Sequence, residues 1–239
     1  MNRQQQGSTL VVVLILLVAI TIIGTLAIRQ SMVSLNIATN SQAQQLMIQN
    51  SDAVAFTVED AQNLVRSTLK NGMFGKIRTP ENIGKELVFC YRGSRSKFFS
   101  SSDSSLLSVD GNTITRVGVA GFCRSGGSGT TNFYTSNRRA VLTQVSAKVI
   151  PAGDGNAFGD APRGTDTLIT NMEDTDRIKV FAVSLMPTLS TASTDDIDAC
   201  LQLVSDTTDD DLSLTACLSE LNVPYTMHVT EYTVGQGFV

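Results

Sequence analysis

A chain of 239 residues, 42% hydrophobic and 17% charged, can bury one medium-sized core, which sets aside a disordered or low-complexity protein. Net charge is −4 but unevenly placed: residues 1–180 carry all eighteen Lys and Arg with thirteen acids, and 181–239 carry nine acids and no base. Two readings of that asymmetry stay open, an interaction surface or an acidic end folded against a basic middle.

The first element is a polar leader, Met1–Gly7, followed by an uncharged stretch from Ser8 to Ile28. As a helix that stretch rises about 31 Å, enough to cross the hydrocarbon core of a bilayer. Its densest part, Leu10–Ile20 (LVVVLILLVAI), follows almost directly on Gly7-Ser8. In a secretory signal peptide the small-residue cleavage site comes after the apolar run, which is then discarded. Here the small pair comes before it, so cleavage between Gly7 and Ser8 would leave the membrane helix on the mature chain. Arg3 and Arg29 flank the span one on each side, a tie under the positive-inside rule.

Helical texture continues through Gln30–Leu69. Ala43, Leu46/Met47, Ala53/Val54, Thr57, Ala61, Leu64/Val65 and Thr68 recur at spacings of three, four and seven, and Asn71-Gly72 offers a stop. The pattern predicts one helix from about Ser8 to about Lys70, roughly 95 Å long, with Gly24 as its soft point. Beyond Gly72 the chain turns β-branched and aromatic, and it predicts strands at Glu86–Arg92, Thr113–Arg124, Arg139–Ile150, Arg177–Met186 and Thr226–Val234. Gly93–Ser108, Arg124–Asn137 and Pro151–Thr167 read as loops. Two short helices are expected before the last strand, one over 197–205 capped by Asp195 or Asp196, the other capped by Asp211 or Ser213 and running to Leu221 before Val223-Pro224. The predicted class is α+β, a long helix packed on an antiparallel sheet with a small disulfide-clipped helical insert near the C-terminus. The expected divisions are 1–7, 8–28, 29–70 and 71–239.

QQQGSTLVVVLILL resembles the class III leader of type IV pilins and pseudopilins. The resemblance implies a pilin-like fold, cleavage by a prepilin peptidase after Gly7, and N-methylation of Ser8 as the first mature residue. The family's usual fifth-residue glutamate is replaced by Val12, and no acid precedes Asp52. That departure, with the segment GTLAIRQS from Gly24, resembles PilX-type minor pilins. The segment from Thr215 to Tyr232 resembles their C-terminal region more loosely. In that family the acid is held to neutralise the amine of the subunit ahead, so a subunit with none ahead gains nothing from it, and a lone carboxylate in hydrocarbon costs several kcal/mol. The resemblance therefore implies a place at the fibre tip. It implies a role in priming pilus assembly and so in twitching motility, adhesion and DNA uptake. Its implied partners are major and other minor pilins, a tip adhesin and the inner membrane, with the head in the periplasm. The alternatives are the tip pseudopilin of type II secretion, which shares the missing acid but has a larger helical insert and calcium sites, and a membrane-anchored adhesive or DNA-binding receptor.

For a domain outside the cytoplasm, Cys90, Cys123, Cys200 and Cys217 are expected as disulfides. Four cysteines allow three connectivities, and the local pairs Cys90–Cys123 and Cys200–Cys217 are preferred. No enzymatic function, cofactor or metal is expected: there is no nucleophile elbow, no phosphate loop, no Cys-x-x-Cys and a single histidine, His228, in a predicted strand. Asp154, Asn156, Gly159 and Asp160 imitate part of a calcium loop, but Phe158 stands at a ligand position and Thr165 where a closing Glu belongs. Asp206, Asp209, Asp210 and Asp211 cluster between two cysteines and read as a solvated, helix-capping loop. Eight Lys and Arg fall within 66–97, facing Glu81 and Glu86 and interleaved with Phe74, Phe89 and Tyr91. Scattered over helix, loop and strand, they form no recognised module, and DNA contact is not expected.

Overall fold

Strands β1 (Glu86–Tyr91), β2 (Ser104–Asp110), β3 (Thr113–Val117), β4 (Leu142–Ile150), β5 (Asp176–Leu185) and β6 (Tyr225–Val234) form one sheet in the order β3-β2-β1-β4-β5-β6. Every neighbouring pair is antiparallel. The computed structural model describes residues 6–93, 97–126, 132–136, 138–150 and 176–234. The chain divides into two compact units, Met1–Gln45 and Leu46–Val239.

The described residues of the first unit are helix. α1 (Gln6–Glu59) begins there and passes Gly24 without interruption. The residues from 46 onward belong to the second unit, where Met47, Ser51, Val54 and Val58 are buried at spacings of four, three and four, one face of the helix. α1 stops at Glu59, about eleven residues short of the predicted end. Asp60 takes an extended backbone (ψ 129°), and its carboxylate accepts from the Gln62 and Asn63 amides, capping a separate helix α2 (Ala61–Thr68). The predicted stripe does not continue across this break: Leu64 and Val65 are exposed, and Ser67 is the buried residue of α2. A further short helix, α3 (Met73–Ile77), buries Met73, Phe74 and Ile77.

Two layers cover the sheet, one on each face. On the first, Val54 and Val58 of α1 and Met73, Phe74 and Ile77 of α3 pack on Leu87, Phe89, Leu106, Val145, Ala147, Val149, Ile178, Val180, Ala182 and Val234. A buried chain of hydroxyls fastens α1 down: Ser51 Oγ donates to Ser184 Oγ at 2.8 Å, and Ser184 and Thr143 lie 2.9 Å apart. The opposite face is covered by the segment after β3 and by residues 186–224. These contain α4 (Thr194–Cys200) and α5 (Leu214–Glu220). Ile197, Leu201, Leu214, Leu218 and Val223 pack on Leu142, Val183 and Leu185, while Phe122, Val204 and Leu212 pack on Val88 and Leu107.

The predicted strand Thr113–Arg124 is regular only to Val117. Gly118 then adopts φ 82°, and at Gly121 a Cβ would collide with the backbone of Val88 and Ser105, so the chain dives against the sheet. Conversely, β2 lies partly within the predicted loop Gly93–Ser108. Its Ser104-Ser105-Leu106-Leu107 start is buried throughout, which hides the period-two alternation of a half-exposed strand. Residues 151–175, predicted as a loop over Pro151–Thr167, lie outside the described residues.

Candidate functional site

The apolar helix of the first unit is the first candidate. Thr9–Glu59 contains an 18-residue window of mean hydropathy 3.1, none of it buried, in one helix long and apolar enough to cross a membrane. Leu10, Val13, Leu14 and Leu17 are each more than half exposed, as are Val11, Val12, Ile15 and Leu16. These positions surround the helix, whereas a helix seated on a soluble core shows one apolar stripe. The polar side chains within the run satisfy themselves: Thr21 Oγ1 donates to the Val18 carbonyl at 2.8 Å, and Thr25 Oγ1 to the Ile22 carbonyl at 2.9 Å. Backbone and hydroxyls are then compatible with hydrocarbon. Gly7 and Ser8 lie in the first turns of α1, and Val12 is 53% exposed. No acidic residue occurs in α1 before Asp52.

The clipped insert is the second candidate. Disulfides join Cys90 to Cys123 and Cys200 to Cys217, with Cα separations of 4.9 and 5.6 Å. The first ties β1 to the segment after β3. The second ties α4 to α5. α4 starts earlier than predicted, with Ser193 as its cap accepting from the Asp196 amide, so Asp195 and Asp196 occupy its first turn. It ends at Cys200, five residues before its predicted end. α5 is capped by Ser213.

Three polar anchors hold this insert to the sheet and to the segment after β3. Gln144 on β4 accepts from the Cys123 amide (3.1 Å) and donates to the Leu201 carbonyl (2.7 Å). Asp198 on α4 accepts from the Ser125 amide at 2.7 Å. The third was missed from sequence. Glu86, counted there among the acids of a basic surface stretch, is 2% exposed and lies on the insert side of β1. Its carboxylate accepts from the Ser205 amide at 3.0 Å and the Asp206 amide at 3.4 Å, and the Ser146 and Ser205 hydroxyls face it. Burial pushes the Glu86 carboxyl above the usual carboxylate range, against the opposing effect of those hydrogen bonds. The only sequence signal was an acid opening an apolar strand, which is too common to single it out.

The acidic cluster does not converge. Asp206 pairs with Lys148 at 3.1 Å, Asp209 accepts from the Asp211 amide, and Asp210 and Asp211 are exposed. No group of three or more His, Cys, Asp or Glu is placed to hold a metal ion among the described residues. Asp154, Asn156, Phe158, Gly159, Asp160 and Thr165 lie outside them. His228 sits on β6 with its Nδ1 3.6 Å from the Asp52 carboxylate on α1. Of the aromatics interleaved with the basic stretch, Phe74 and Phe89 are core residues and Tyr91 packs against Phe98, so Phe74 and Phe89 offer no stacking face to a base. Comparison with known proteins gives no matching family model, no similar curated protein and no similar solved structure.

Proposed function

We propose that this protein is a minor pilin of the PilX type, a non-enzymatic subunit of a tip complex that primes type IV pilus assembly. The observation that carries the reading is the helix apolar all round, without an acid before Asp52, following directly on Gly7-Ser8. Before assembly the helix anchors the subunit in the inner membrane with the head in the periplasm. In the fibre it lies among the helices of major and minor pilins, with twitching motility and adhesion as downstream effects. Cys90–Cys123 and Cys200–Cys217 support a head that folds in an oxidising compartment.

Mass spectrometry of the native N-terminus tests the reading. An N-methylated Ser8 is expected, and Gly7→Val should leave the uncut precursor in the membrane. A native N-terminus at Met1, or one beyond Ile28, would falsify it. Tip placement is tested separately by labelling sheared pili, where signal along the whole shaft refutes it. The insert's two helices, Thr194–Cys200 and Leu214–Glu220, are short, which supports the pilus subunit over the tip pseudopilin of type II secretion with its larger helical insert, and whether deletion abolishes pili or secretion separates the two.

A further inference from the structure

We propose that the cavity between α2, the α2–α3 corner and the Phe98-Phe99 segment binds a small amphipathic carboxylate, an acid group carried on an apolar or aromatic body. The cavity has a volume of about 530 Å³, within the range of about 300–1,000 Å³ usual for small-molecule sites. Its walls divide by chemistry. Arg66 and Lys97 supply two cations and Asn71 an amide, while Leu69, Phe98 and Phe99 supply apolar surface. No Asp or Glu among the described residues lines it.

The cavity is held open by the fold. At Gly72 a Cβ would collide with the carbonyls of Arg66 and Ser67, and at Gly75 with that of Leu69, so the chain turns back tightly over the end of α2. Phe98 and Phe99 are set edge-on against the buried Phe89 ring, at 5.3 and 5.2 Å between centroids. Asn63 is fixed by donating to the Thr57 carbonyl at 3.0 Å. Two further cations, on and just after α3, are engaged: Lys76 donates to Ser101 and Ser104, and Arg78 pairs with Asp176. Arg66 and Lys97 have no ion-pair partner among the described residues. Arg66 complements the end of α2, but Lys97 serves no helix terminus. A guanidinium fork and an ammonium beside two phenyl rings suit a carboxylate on an apolar body better than a neutral ligand.

The test uses the full chain in a non-ionic detergent, with 4-phenylbutyrate as probe and 4-phenylbutan-1-ol as its uncharged twin. Saturation transfer to the probe's ring protons reads binding without any substitution. Saturable binding of the acid with a Kd of about 1 mM is expected for so small a ligand. The alcohol and the Arg66→Gln/Lys97→Gln double variant should each weaken it at least about tenfold. Lys85→Gln, outside the cavity, should leave it unchanged. Absence of saturation transfer overturns the proposal. So does equal binding of acid and alcohol, or undiminished binding in the double variant.

Discussion

Replacing Glu86 by Gln and by Ala separates two contributions that the structure superimposes. The carboxyl group gives the Ser205 and Asp206 amides their acceptor, and it is also an ionisable group held where water does not reach. Glu86→Ala removes the acceptor and strands a buried amide, at about 1–3 kcal/mol. For a chain of this size that lowers Tm by roughly 4–8 °C at the middle of the range. Glu86→Gln keeps an acceptor for the amide and a donor for the Ser146 or Ser205 hydroxyl while removing the ionisable proton. At neutral pH it should be neutral or stabilising. The pH dependence follows from the raised pKa. The folded state holds the Glu86 proton more tightly than the unfolded state. The stability this gives is complete below the ordinary value of 4.5 and is lost as pH rises through the higher folded value. Thermal melts of the oxidised full chain from pH 4 to 8, followed by tyrosine near-ultraviolet circular dichroism, measure both effects as differences from wild type. Glu86→Gln should erase one declining limb. If it destabilises as much as Glu86→Ala at pH 7, or leaves the pH profile unchanged, the buried-charge reasoning is refuted.

Breaking the insert's clip with Cys200→Ala/Cys217→Ala should cost about 3 kcal/mol for its short loop, and hydrogen exchange should quicken in α4 and α5 while β1 and β4 stay protected. Asp60→Ala removes the cap of α2 and should cost about 1 kcal/mol, seen as lower protection at Gln62 and Asn63 with little change in the sheet. Gly24→Ala meets nothing within 4 Å and should raise helix stability by roughly 1 kcal/mol, measured as slower amide exchange around residue 24 in micelles. Gly121→Ala, forced against the Val88 and Ser105 backbone, should instead lower Tm by an amount corresponding to about 1–3 kcal/mol.

The elements that stood out in the sequence are those whose signal is local. Leu10–Ile20 is apolar all round, and Val145, Ala147 and Val149 alternate as a strand should. What was not visible depends on tertiary partners. Asp60 within a continuing apolar period reads as one more polar residue, yet a capping carboxylate outweighs the weak helical preference of the residues around it. Leu64 and Val65 keep the period but lose the surface to pack on once the axis breaks. β2 was obscured by its serines, because Ser104 and Ser105 are buried polar residues whose hydrogen bonds run to groups distant in sequence. Glu86 was hidden for the same reason: its partners, at 205 and 206, lie some 120 positions away.

The insert also bears on how the molecule reaches its native state. β5 and β6 are neighbours in the sheet, yet residues 186–224 separate them in sequence, so their pairing is a long-range event. The Cys200–Cys217 clip spans a separation of 17, roughly two fifths of that excursion, and shortening the loop by this much eases closure by only about 0.5 kcal/mol. Rates of β5–β6 association should therefore rise no more than about twofold on oxidation. What the clip does instead is keep α4 and α5 together as one small body while the last strand is still unpaired. Pairing of β6 brings His228 to Asp52 and Tyr232 to Glu59 on α1. A chain stalled before that pairing would show an oxidised insert, an open edge on β5 and an α1 held through Ser51 but not yet through Asp52 and Glu59.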